Sequence, residues 1–343
     1  MVRKQLKVLS LTALAVIIIF MTYGAVRSHR TPPNKEKTNL EIKIKKYIKA
    51  PEIKATGFIG TDNFSISQNH DKKVVLVYIW SSSCSNCLPV THHLNQWYQK
   101  YSSLGLDVIG VHTPEFEVEK KPDYLNSVAK DMSIEFPIAT DNKYQTWKAY
   151  ANNYWPRIYL LDKDRFIVYD HIGEGAYATT ERKIRSLLLE TSSRQDTTAQ
   201  IDTDATVPPF PGTHDLYLGF LRNTTVGNIE PYRPGIQKLT LPKLLKDNNL
   251  YLSGDWNFQR EYAENQSANA KIILNYSAKE VYFVTGAVVG GAKITISQDG
   301  QMSSLQITKD GLYKLISNST SGQHKLQIGI DKPGLRAYVF RFR

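Results

Sequence analysis

Hydrophobic positions along the chain fall into three regimes. Val8 to Val26 is apolar almost throughout and includes Leu-Thr-Ala-Leu-Ala-Val-Ile-Ile-Ile-Phe; such a run is near the minimum that crosses a bilayer as a helix. From about residue 50 to 190, short apolar runs read as strands at Val74–Trp80, Asp107–Val111, Phe136–Ala139, Ile158–Leu161 and Phe166–Asp170. Helical periodicity lies between them at Ser85–Tyr101, Val118–Asp131, Tyr144–Ala151 and Thr180–Leu189. Strands alternating with helices predict an α/β layer with parallel strands at its centre, and Lys163-Asp164 predicts a closing hairpin. From Thr213 to Arg343 the period is that of β structure throughout. Alternating runs recur at Lys271–Tyr276, Val281–Val284, Lys293–Ser297, Ser304–Thr308, Leu312–Leu315, His324–Ile330 and Ala337–Arg343. Turn signals Asp299-Gly300, Asp310-Gly311, Ser321-Gly322 and Pro333-Gly334 separate several of them. That spacing predicts an all-β sandwich or jelly roll.

At 343 residues the chain accommodates two domains of ordinary size. The pattern divides it into an N-terminus (1–7), a transmembrane signal anchor (8–26), a basic linker (27–49), an α/β domain (50–190), a Pro-rich linker (191–212) and a β domain (213–343). Hydrophobic residues make up 41% and charged residues 22%, the composition of a globular rather than a disordered chain.

Charge refines the picture at one end. The net charge is +11, and residues 1–54, with twelve Lys/Arg against three Glu, supply +9 of it. Nucleic-acid binding needs that charge on a folded face with aromatic partners, and the stretch offers no such face. A basic tether beside anionic lipid headgroups accounts for it. Arg3, Lys4 and Lys7 precede the apolar run, and its exit, Tyr23-Gly-Ala-Val-Arg27, is a poor cleavage site. The run therefore reads as an uncleaved anchor with its N-terminus in the cytoplasm. Both domains are then expected on the periplasmic, or otherwise extracytoplasmic, side of a bacterial inner membrane, held by a single pass.

Cys84 and Cys87 are the only cysteines. A lone redox pair without spare thiols suits an oxidising space. Two thiols fall short of the four ligands of a structural zinc site, so no metal is expected. The pair follows the apolar run Val74–Trp80 and a Ser-rich turn, and opens a helical pattern. A helix N-terminus favours thiolate, and thiolate is the species that attacks a disulfide. Cys84 is thus the expected nucleophile and Cys87, one turn on, the resolving thiol. The dithiol itself is the only redox group required. Downstream, Trp155-Pro156 enters an apolar strand, a place where proline is confined to the first residue or an edge.

Trp80-Ser-Ser-Ser-Cys84-Ser-Asn-Cys87 followed by Trp155-Pro156, in βαβ order, resembles the thioredoxin superfamily. It is most similar to the membrane-tethered TlpA/ResA and DipZ types. Val108-Ile-Gly-Val-His-Thr-Pro-Glu-Phe116, Tyr154-Trp-Pro-Arg-Ile-Tyr-Leu-Leu-Asp162, His171-Ile-Gly-Glu-Gly-Ala-Tyr177 and Leu216-Tyr-Leu-Gly-Phe220 with Leu252-Ser-Gly-Asp-Trp256 carry the DipZ resemblance, which spans roughly residues 50–343. It implies a thioredoxin fold that exchanges Cys84–Cys87 with protein disulfides outside the cytoplasm. It also implies a β-sandwich likened to carbohydrate-binding modules, hence a candidate glycan partner. In such a fold Pro156 is expected to be cis, and Trp80, Trp155 and Pro156 are expected to meet the substrate. DipZ-type proteins carry a multi-helix electron-transferring membrane domain, whereas this chain has one apolar segment, so a reductase of this form needs a separate membrane electron donor. Where cytoplasmic thioredoxins and TlpA/ResA proteins carry an acid near the dithiol, this chain has Tyr78 and Val90. Reduction is the favoured direction, with oxidation left open.

His112 and Glu115, flanking Thr113-Pro114 at a strand's C-terminal end, are candidates for the missing acid or base. Adjacent His92 and His93 point different ways on a helix. His171, Glu174 and Tyr177 read as structural. Tyr217, Phe220, Trp256, Tyr262 and Tyr282 are candidates for a sugar-stacking or docking surface, against the commoner fate of core aromatics. Two alternatives accompany the exchange enzyme. One is a scaffold that recruits an envelope glycan or partner through the β domain, and the other is a peroxidase-like redoxin acting through Cys84. The intact cysteine pair favours the exchange enzyme.

Overall fold

A computed structural model describes residues 48–67, 73–191, 212–287 and 290–343. The expected anchor at 8–26 lies outside them, as do most of both linkers; among the described residues no helix is long and apolar enough to cross a membrane. Residues Lys49–Arg343 form one compact unit.

The first part of this unit comprises β1 (Gly57–Ile59), β2 (Val74–Trp80), α1 (Cys87–Tyr101), β3 (Leu106–His112), α2 (Pro122–Asp131), β4 (Ile138–Thr140), α3 (Gln145–Ala149), β5 (Arg157–Leu161), β6 (Ile167–Ile172) and α4 (Tyr177–Thr191). The sheet order is β1-β4-β3-β2-β5-β6. Strands β2, β3 and β4 run parallel, and β5, β6 and β1 pair antiparallel to their neighbours. β2 is central because every one of its residues is buried. Val74, Leu76, Tyr78 and Trp80 pack with α1, α2 and α4, while Val75, Val77 and Ile79 pack with Tyr150, Tyr159 and Ile53 on the other face. A strand with apolar matter on both faces reads as a continuous run, not an alternation. α1 buries Cys87, Val90, Thr91, Leu94, Trp97 and Tyr101, the spacing of a single helical stripe.

One expected helix is two elements. Val118–Asp131 is interrupted by Pro122, which occupies the first position of α2 and leaves Lys121 extended. Proline has no N–H to give and fits only a helix's first turn, so the preceding residues form a separate 3-10 turn, Glu117–Lys120. That turn points Val118 and Glu119 inward.

The second part is antiparallel β throughout: β7 (Leu216–Tyr217), β8 (Gly235–Leu239), β9 (Leu250–Phe258), β10 (Ala263–Asn265), β11 (Lys271–Ala287), β12 (Ala292–Gln298), β13 (Gln301–Ile307), β14 (Gly311–Ile330) and β15 (Leu335–Phe342). They form one hydrogen-bonded sheet bent round a single core. The bend lies in β11 and β14. Lys271–Tyr276 and Val281–Val284 belong to one strand, and so do Leu312–Leu315 and His324–Ile330. Ser321-Gly322, expected as a turn, sits within β14, where the ladder slips between Ala278↔Gly322 and Glu280↔Ser317. An irregularity of this kind bends a strand without ending it. Asp299-Gly300 is a true two-residue hairpin turn, with φ of 49° and 88°, which suits an Asp-Gly pair.

Phe283 is fully buried and stacks on Phe340 at 4.2 Å. Phe283→Ala is expected to destabilise the unit by about 3–5 kcal/mol, read as a lowered urea midpoint.

Candidate active site

Cys84 and Cys87 form a disulfide with Cα atoms 5.3 Å apart. Cys84 is 7% exposed and Cys87 fully buried, so an incoming sulfur reaches only the first of the pair. The turn between β2 and α1 is closed by Cys84 N–H donating to Ser81 O (3.2 Å) and Cys87 N–H donating to Cys84 O (3.1 Å). Tyr78 holds the far side, its hydroxyl 3.0 Å from Cys87 O and 3.1 Å from Thr91 Oγ1. Burial pushes the Tyr78 phenol well above its ordinary pKa, so it serves as a neutral clamp.

The Trp155–Pro156 bond is cis. Pairing of Ile79 with Arg157 sets Pro156 level with the end of β2, where the dithiol loop begins. Trp155 is half-buried against Trp147, with ring centroids 4.6 Å apart. Trp80, expected at the substrate face, is fully buried; it stacks on Tyr78 and meets His112 edge-on at 4.9 Å. Its indole is therefore core, because β2 is covered on both faces.

His112 and Glu115 both lie near the loop, but in different surroundings. His112 is fully buried, with Nε2 3.2 Å from both Ser82 N and Ser82 Oγ and 3.5 Å from Glu119 Oε2. Glu119 is fully buried too, and accepts from Ser81 Oγ (2.7 Å) and Ser82 Oγ (2.9 Å). Burial alone would raise the Glu119 pKa, but bonds from His112 and the serines outweigh it and hold the carboxyl below its usual range. Glu115 faces the β domain. Its carboxylate pairs with Arg341, with Arg222 (2.8 Å) and with the Tyr217 hydroxyl (2.9 Å). Here burial also pushes upward, and the two guanidinium groups outweigh it, so Glu115 stays ionised. Glu115 is thus fully engaged, whereas His112 is buried with its Nδ1 without a hydrogen-bond partner.

Sequence reasoning missed Glu119 because it ran a helix through Pro122. The proline itself was the available signal. Arg341 and Arg222 carried none, since only folding brings residues over 200 and 100 positions away to Glu115.

The two parts of the unit meet beside the dithiol. Phe116, Val118, Val284, Tyr338 and Val339 form a shared apolar cluster. Glu174 pairs with Arg343 at 2.6 Å, the structural role expected of its loop. A cleft of about 540 Å³ reaches Ser82 and Leu88 from one domain and Leu312 and Tyr313 from the other. A second, of about 300 Å³, joins Trp155 to Tyr217, Arg222 and Arg260. The five candidate β-domain aromatics are occupied: Trp256 and Tyr282 are buried, Phe220 packs on the core, Tyr262 packs on Tyr338, and Tyr217 stacks under Arg222. Among the described residues no cluster of His, Cys, Asp or Glu could hold a metal ion.

Residues 48–170 match the AhpC/TSA family and residues 213–342 the thioredoxin-like C-terminal domain. The dithiol domain is thioredoxin-like. Protein DipZ of Mycobacterium tuberculosis is 33% identical over 85% of this chain and 42% of its own length. The chain thus spans under half of that relative. Thiol-disulfide oxidoreductase YkuV of Bacillus subtilis is 28% identical over 35% of this chain and 80% of its own. A solved thioredoxin-like protein in its oxidised form aligns with 25% identity and a TM-score of 0.40, over 43% of this chain and 98% of that one.

Glu115 and Glu119 have folded pKa values below the usual 4.5. Groups of this sign add stability above that pH and lose it as pH falls through the folded value. Between pH 4.5 and lower values, wild type is expected to lose more stability than Glu119→Gln does, in urea unfolding at pH 7 and pH 3.5.

Proposed function

We propose that this chain is a membrane-anchored thiol–disulfide oxidoreductase that reduces protein disulfides outside the cytoplasm. The observation that carries the reading is the Cys84–Cys87 disulfide at the β2–α1 turn, with Cys84 7% exposed and Cys87 fully buried, after the end of β2 that lies level with Pro156. The similarity to DipZ and YkuV supports it.

In the reductive direction the Cys84 thiolate attacks one sulfur of a substrate disulfide. A mixed disulfide forms and the other substrate sulfur leaves as thiolate. The Cys87 thiol, deprotonated, then attacks Cys84 Sγ and releases the second substrate thiol. Two electrons have passed to the substrate and Cys84–Cys87 is oxidised. A second dithiol protein at the membrane must return them. Trp155 and Pro156, beside the smaller cleft, are where the substrate chain would lie. The apolar run at 8–26, preceded by Arg3, Lys4 and Lys7, supports the anchor and the side of the membrane. The pairing of Glu115 with Arg341 and Arg222 counts against the peroxidase-like alternative, and the packing of the five candidate aromatics counts against the glycan-scaffold one.

In the native envelope Cys87→Ala is expected to accumulate mixed disulfides through Cys84, seen as reductant-sensitive adducts on gels, whereas Cys84→Ala accumulates none. Capture by neither variant would remove the reading. A reduction potential near thioredoxin's, about −270 mV, is expected; a value near DsbA's, about −120 mV, would reverse the direction.

A further inference from the structure

The loop into Cys84 is wired to the β domain. Ser83, the residue before the nucleophile, is buried; its hydroxyl lies 2.9 Å from Ser81 Oγ, 3.4 Å from Glu115 Oε2 and 3.5 Å from Arg341 Nη2. Ser81 in turn donates to Glu119. Two buried carboxylates thus flank the short segment that carries Cys84. Neither lies on the β2–α1 element itself. Arg341 comes from β15, and its guanidinium spans Glu115 and Asp215. Its side chain is 9% exposed and that of Glu115 is 7% exposed, so solvent screens this pair little.

We infer that Arg341 is a positioning residue through which the β domain sets the thiolate fraction of Cys84, by neutralising Glu115 beside Ser83. Without Arg341, Glu115 keeps only Arg222, whose side chain is 42% exposed, and a carboxylate so weakly compensated beside Ser83 would oppose a second negative charge on the neighbouring Cys84. The charged and titratable groups around the loop are His112 at the end of β3, Glu115 and Glu119 after it, Tyr78 from β2, Tyr124 from α2, and Arg341, Asp215, Arg222 and Tyr217 from the β domain. On the α1 and α4 side, His93 stacks on Tyr177 at 3.7 Å. Of the cations in this set, Arg341 is the one whose guanidinium approaches Ser83. The inference builds on the nucleophilic role proposed for Cys84, but concerns its ionisation and not its substrate.

The test is the pH profile of Cys84 alkylation by iodoacetamide in the reduced full-length chain, with the modified residue read by mass spectrometry. No substrate is needed, so failure here is separable from failure of the reductase reading. Arg341→Gln is expected to raise the Cys84 pKa by about one pH unit, slowing alkylation below that pKa about tenfold. Arg341→Lys keeps the charge and is expected to stay near wild type. Glu115→Gln is expected to shift the profile the opposite way, to lower pH. The double variant Glu115→Gln/Arg341→Gln is expected to return toward wild type. A folded Arg341→Gln variant with an unchanged profile would overturn the inference, as would a double variant shifted as far as the single one, which is what a purely structural role predicts. Should Arg341→Gln fail to fold, Glu115→Gln decides, and an unchanged or upward-shifted profile there overturns it.

Discussion

A charge withdrawn from water must be paired, and the architecture around the dithiol depends on one such pairing. Arg341 is buried among Glu115, Asp215 and Ser83. The carboxylates divide the work unequally. Glu115 has both Arg341 and Arg222 and is held below its ordinary pKa, while burial wins at Asp215 and raises it. Arg341 stands on β15 and Glu115 follows β3, so neither is satisfied unless the two parts of the unit are docked. Removing one partner of such a buried pair costs about 3–5 kcal/mol, because the other is left alone in low dielectric. The apolar cluster of Phe116, Val118, Tyr338 and Val339 supplies adhesion; the ion pairs supply register.

The dithiol's own placement has a different origin. β2 is covered on both faces and flanked by β3 and β5, so its end cannot wander. The loop that leaves it is held by backbone bonds at Cys84 and Cys87, and by the Tyr78 hydroxyl beneath the first turn of α1. A phenol kept neutral by burial can clamp the helix start, but it cannot take a proton from Cys87. The buried acidity of this site sits instead at Glu119, under Ser81 and Ser82, with His112 beside it. Its hydrogen-bond chain runs through the Ser81 hydroxyl to that of Ser83, the residue before Cys84.

The β domain is therefore more than an appended module. Its five candidate aromatics, Tyr217, Phe220, Trp256, Tyr262 and Tyr282, are taken up by its core and by neighbouring side chains, and two clefts that it helps to line open beside the dithiol loop and Trp155. A partner disulfide approaching Cys84 would meet surfaces from both domains.

The sequence alone determined the chemistry and the α/β order: a cysteine pair at a strand-to-helix junction, a proline entering a later strand, and periodicities that switch from 3.6 to 2 near residue 213. These are local signals, carried by neighbours in the chain. Within the β domain, local reading cut β11 and β14 in two, because a bend enforced by the core looks like a turn when only composition is seen. It expected Trp80 to meet the substrate, where burial puts the indole in the core, and left Glu119 on a helix that Pro122 interrupts. What tertiary structure alone decided is the environment of Cys84. Glu115 looked like a free loop acid until Arg222 and Arg341 arrived from more than 100 and 200 residues away. Electrostatic partners across such separations leave no period in the chain, since only the docked fold brings them within reach of one another.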